Sequence, residues 1–109
     1  MQITINDSEW EIFEANTHSP TLYHLEDRCR GITRFPEQKI YLDRNLKYDT
    51  KYSVLCHELS HAFLYETQIQ NAETFDEEML CEFVGIYGKK IVQIADNYFD
   101  DYKPAFIQD

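Results

Sequence analysis

Nowhere in these 109 residues is there a CxxC pair, a cluster of Lys and Arg, or an apolar run approaching the roughly 20 residues of a membrane-spanning helix. Each absence removes a class. Without CxxC, a thiolate zinc finger is not expected. The three cysteines, Cys29, Cys56 and Cys81, are an odd number without tight spacing, which argues against a secreted disulfide scaffold. Ten Lys and Arg stand against 20 Asp and Glu, a formal net charge of -10. A chain so acidic lacks the basic patch that neutralises phosphates, so neither nucleic acid nor an anionic membrane is an expected partner. The opening MQITINDSEWEIF has no basic patch followed by a long apolar stretch, so no signal peptide is expected and the chain reads as cytoplasmic.

What is present is enough apolar material for one packed domain over 1–109: the hydrophobic fraction is 43% and the aromatic fraction 15%. No internal repeat or linker interrupts it. Gln2 to Asn6 alternates around Ile3 and Ile5 and reads as a short strand. Glu9 to Glu14, around Trp10, Ile12 and Phe13, reads as a second strand, with one helical turn as the other option. Asn16 to Pro20 is a loop, and Thr21 to Arg30 gives no clear pattern. Ile32 to Phe35 and Lys39 to Leu42 flank Pro36-Glu37-Gln38, the pattern of a hairpin whose second strand is KIYLD.

Helical spacing follows. Asp49 or Thr50 can cap a helix reaching about Thr67, with an apolar stripe of Leu55, Leu59, Ala62 and Phe63. After a polar connector from Gln68 to Thr74, Asp76 caps a second helix reaching about Asn97. Its expected stripe is Leu80, Phe83, Val84, Tyr87, Ile91 and Ile94. The tail from Tyr98 on is acidic and aromatic, and is expected to pack back or to fray. Strands first and helices afterwards indicate α+β: a small N-terminal sheet packed against a helix over about 50–67 and another over about 76–97.

One stretch carries chemistry: "VLCHELSHAFLY", Val54 to Tyr65. His57 and His61 are four residues apart, so on a helix they lie one above the other and can turn both imidazoles toward one ion. Zinc takes neutral imidazole nitrogens in this way. Glu58 is rotated about 100° from His57 and flanks the place where a zinc-bound water would sit. Two ligands and one carboxylate base make up the division of labour of a zinc hydrolase. The alternative is ordinary polar residues on a helix, but the Glu between paired His beside an apolar stripe favours one Zn2+ per chain.

A catalytic zinc usually has a third protein ligand. His18 and His24 lie upstream in unassigned structure and read as surface residues, either of which could stabilise an oxyanion, as could Tyr52, Tyr65 or Tyr87. The downstream run DEEMLCEF offers Glu77, Glu78 and Glu82. Glu77 fits a solvated helix start, where acids favour the N-terminal dipole. Glu78 is the favoured ligand, and Glu82, four residues on, would orient a histidine through its other N–H. Register alone does not separate these two roles. Gly85 shares their face and would let the second helix approach the first closely. Cys56 reads as core or neutral packing and Cys81 as a small buried residue.

HELSH followed by Glu78-x-x-x-Glu82 resembles the gluzincin arrangement. More narrowly, "IYLD…YSVLCHELSHAFLY…EEMLCEFVGIYG" resembles the small zincin-like metallopeptidases of phages and mobile elements, related to the ImmA/IrrE type. The likeness spans about Gly31 to Ile94. It implies a minimal zincin-like fold in which KIYLD is an edge strand beside the active-site helix, binding an extended protein substrate or a regulatory protein. It also implies His57, His61 and Glu78 as zinc ligands and Glu58 as the catalytic residue. Glu82 stands where the wider pattern has Asp or Asn. The competing expectation is a non-catalytic acidic interaction protein of a mobile element, with a structural or vestigial zinc site.

Overall fold

The computed structural model describes residues 1–67 and 76–100, and the backbone alone of Ala105–Ile107. The architecture is α+β: a small sheet carrying two helices. β1 (Gln2–Ile5) and β2 (Ser8–Ala15) form an antiparallel hairpin with Ile3 opposite Trp10. Asn6 and Asp7, at φ 50° and 68°, make the two-residue turn. Left-handed conformation at both central positions matches the twist of the flanking strands, and Asn and Asp tolerate it.

The segment Thr21 to Arg30, unassigned from sequence, holds most of a single 3₁₀ turn (Pro20–Leu22) and a two-stranded hairpin, β3 (Tyr23–His24) with β4 (Asp27–Arg28). Next come β5 (Gly31–Arg34) and β6 (Lys39–Asp43), the expected hairpin around Pro36–Gln38. β6 runs parallel to β2, with Ile12 beside Ile40. The sheet order is β1-β2-β6-β5, and β7 (Ala105–Ile107) lies parallel to β2. KIYLD is therefore an inner strand, not the edge. Ile40 and Leu42 are completely buried, and the hairpin folds β5 onto its outer side, so GITR becomes the edge.

α1 (Tyr48–Thr67) starts a little earlier than expected, so Asp49 lies in its first turn rather than capping it. Its stripe of Leu55, Leu59, Ala62 and Phe63 is buried as the spacing predicts. α2 (Glu77–Asp100) follows residues 68–75, which lie outside the described residues, as does the expected polar connector within them. Asp76 caps α2, its Oδ1 accepting from the Met79 N–H at 3.0 Å. The helices are antiparallel: Phe63 packs on Tyr87, ring centroids 5.6 Å apart, and the Tyr52 hydroxyl donates to Asp96 at 2.7 Å. That bond pushes the Tyr52 hydroxyl up to about 12.

The buried face of α2 differs from the expected stripe. Phe83, Ile91, Ala95 and Tyr98 are buried, whereas Leu80 and Val84 are 50% and 56% exposed. Pairing Phe63 with Tyr87 carries Leu80 beyond the end of α1, and Val84 is turned about 100° from Phe83. Tyr98, expected in the tail, is instead a core residue of the helix. Its hydroxyl donates to Glu14 Oε2 at 2.6 Å, and Lys51 Nζ pairs with Glu14 Oε1 at 2.8 Å. Burying a carboxylate costs several kcal/mol unless it is paired and hydrogen-bonded. Here both oxygens are engaged, and the contacts tie β2 to both helices.

Candidate metal and acid–base site

His57 and His61 project from the α1 face opposite its buried stripe, and both are exposed. Their ring centroids are 4.9 Å apart and their planes meet at 77°. That spacing can be tested against an ion. With a zinc–nitrogen bond of about 2.0–2.1 Å, a ring centroid lies about 3.2 Å from the metal, and a tetrahedral angle then sets two centroids about 5 Å apart. The centroid spacing of the pair matches that expected of two imidazoles on one zinc.

Glu58, about 100° round the helix from His57, is only 7% exposed. Its Oε1 accepts from the Thr33 hydroxyl at 2.7 Å, and its Oε2 lies 3.9 Å from His57 Nε2. So the carboxylate is held against β5 while one oxygen faces the nitrogen that a metal would occupy. Gly31 makes this approach possible. A Cβ built there would stand 2.6 Å from Val54 Cγ1 and 3.1 Å from Glu58 Cγ. Gly31→Ala is therefore expected to destabilise the fold by about 1–3 kcal/mol through overpacking. Urea unfolding would check it, with a lowered midpoint and an unchanged slope.

His57, Glu58 and Gly31 line two adjoining pockets. The larger, about 640 Å³, is bounded by the β3–β4 hairpin through His24, by β5, and by His61. The other, about 490 Å³, continues past Arg30 and Ser53. The two meet at Gly31, His57 and Glu58, and the larger extends along β5 past both histidines. Of the oxyanion candidates, His24 alone among the described pocket-lining residues is present; His18, Tyr52, Tyr65 and Tyr87 do not line either pocket. Tyr65 stacks on Phe35 at 4.8 Å, and Tyr87 packs against Phe83 at 5.4 Å.

The glutamates of α2 are not brought to the histidines. Glu77, Glu78 and Glu82 are all exposed, and no group of three His, Cys, Asp or Glu is assembled around a metal position among the described residues. The helix register explains this. Because Tyr87 meets Phe63, the residue level with His61 is close to Lys89, and Glu78 lies about eleven residues back along α2, about 16 Å along the axis. Two supporting expectations change with it. Gly85 faces open space, with nothing within 4 Å of an added Cβ, so it does not mediate a close helix contact. Cys81 is exposed, about 200° round the helix from buried Phe83. Cys56 is half-buried, as expected, and burial, then Asp96, pushes its thiol up.

Thr33 and Gly31 were not singled out by sequence reasoning. Thr33 sits within the strand expected over Ile32 to Phe35 and Gly31 just before it, two positions apart in β5 and thus on one face, but nothing in the spacing links residue 33 to residue 58.

Comparison with known protein families, with curated proteins and with solved structures finds no match to this chain. No helix among the described residues is long and apolar enough to cross a membrane.

Proposed function

We propose that this chain is a zinc-dependent metallopeptidase of the gluzincin-like type, acting on an extended segment of a protein. The observation that carries the reading is the buried Glu58 carboxylate beside an exposed histidine pair, one oxygen anchored and the other 3.9 Å from His57 Nε2. His57 and His61 would hold the ion. When bound, zinc supplies the Lewis acidity that makes a water acidic near neutral pH. Glu58 Oε2 takes the proton of the attacking water and delivers it to the departing amine. Thr33 keeps Oε1 occupied during both transfers. The outer edge of β5, unpaired among the described residues, offers backbone groups to a substrate laid along it as an added strand.

We assign the third ligand to Glu78, with Glu82 orienting a histidine. This requires the start of α2, before Phe83, to be re-laid against α1 when the metal binds. Nothing in α2 before Phe83 belongs to the core or packs against it, so the movement would break no described core contact. Elemental analysis of protein purified with equimolar zinc tests the assignment. About one zinc per wild-type chain, lost in Glu78→Ala and mostly kept in Glu82→Ala, is the expected outcome. Equal retention in both variants would remove Glu78 from the ligand set. A wild-type chain that takes no zinc would overturn the peptidase reading and favour an acidic interaction protein.

A further inference from the structure

We infer that Thr33 is the positioning residue for Glu58, and that β5 sets the aim of the base through it. The inference rests on the peptidase reading and extends it to a residue outside the HELSH helix.

A glutamate side chain has three rotatable bonds, and packing alone does not fix how its carboxylate is turned; a reacting group misplaced by about 1 Å can cost on the order of 10²-fold in rate. Something must therefore fix the orientation of the Glu58 carboxylate. The Thr33 hydroxyl lies between two acceptors of that one residue: Oε1 at 2.7 Å and the backbone carbonyl at 3.1 Å. It has one hydrogen to give, and the shorter contact is to the charged oxygen, where a hydrogen bond is stronger. The two carboxylate oxygens thereby become unequal. Oε1 is engaged, and Oε2 is left facing His57 Nε2. No other hydrogen-bond donor to the Glu58 carboxylate occurs among the described side-chain contacts. The strand can stand this close to the helix because Gly31, on the same face as Thr33, has no Cβ to meet Val54 and Glu58. The strand whose open edge would take the substrate thus also carries the group that aims the base.

Acetohydroxamate is the probe, because a hydroxamic acid chelates zinc through two oxygens and gives its proton to a base beside the metal. Its affinity for the zinc-loaded protein, measured by calorimetry, reads the aim of Glu58 without needing a substrate. Thr33→Val keeps the side-chain shape and removes the hydroxyl. It is expected to weaken acetohydroxamate about tenfold, the effect of losing one hydrogen bond to a charged group, with zinc affinity unchanged. Thr33→Ser should restore wild-type binding. Glu58→Gln should weaken the probe at least as much, and Thr33→Val added to Glu58→Gln should cost nothing more.

Full-strength binding by Thr33→Val, with Glu58→Gln weakened, would overturn the role of Thr33 and leave Glu58 as the base. A further loss from Thr33→Val in the Glu58→Gln background would also overturn it, since Thr33 would then act on something other than the base. Unweakened binding by Glu58→Gln, or a wild type that takes no zinc, would overturn the peptidase reading and this inference with it.

Discussion

Glu58→Gln should lose about 10²–10⁴-fold in peptide hydrolysis, the usual contribution of a general base, while holding zinc as tightly as the wild type. The geometry makes the substitution clean. Glutamine has the same shape, and its carbonyl oxygen can accept from the Thr33 hydroxyl where Oε1 does at 2.7 Å. The amide nitrogen then takes the place of Oε2, opposite His57 Nε2, and cannot accept a proton. Burial of the side chain, at 7% exposure, leaves no room for another carboxylate to substitute there without displacing it. A randomised peptide mixture read by mass spectrometry, with zinc content measured on the same samples, checks both halves. Loss of zinc along with activity would make Glu58 a ligand rather than a base. Turnover retained in the variant would remove acid–base chemistry from this residue. If the chain is instead an acidic interaction protein, Glu58→Gln should leave partner binding unchanged, because the residue faces inward toward β5.

The parts legible in the sequence are those set by local periodicity. The alternation around Ile3, Ile5, Trp10 and Ile12 defines β1 and β2, and the stripe of Leu55, Leu59, Ala62 and Phe63 defines the buried face of α1. His57 and His61 share a face because four residues are close to one helical turn, whatever the rest of the chain does. What failed depends on contacts between distant segments. KIYLD has the composition of a strand, but whether it lies inside or at the edge depends on which side of it β2 joins, its paired residues 28 positions earlier in the chain. In α2, Leu80 and Val84 continue the apolar spacing of Phe83 and Ile91. Their exposure follows from the Phe63–Tyr87 register, which no spacing within α2 encodes. Glu78 is subject to the same register. Its role was read from residue type and interval, whereas its position depends on where α1 ends and how the helices pair.

Zinc should raise the melting temperature of the wild-type protein, and His61→Ala should abolish the rise while leaving the metal-free protein as stable as before. The two effects separate because the histidines lie outside the core. Ala62 and Phe63 are buried beside His61, which is itself exposed and makes no described hydrogen bond. Truncating such a side chain changes stability by only about 0.5 kcal/mol in either direction. A ligand that binds only the folded chain, held at 100 times its dissociation constant, adds about 2.7 kcal/mol. For a domain of this size each kcal/mol moves the midpoint by about 4–8 °C, so zinc should raise it by roughly 10–20 °C. His57→Ala should behave in the same way, because either imidazole alone leaves a single nitrogen on that face of α1. Calorimetric melts with buffered zinc and with chelator would measure both quantities. A His61→Ala protein that melts lower even in chelator would mean the pair supports the fold. One that keeps the full zinc-dependent rise would place the metal elsewhere on the chain, and HELSH would then be a helix segment without a metal.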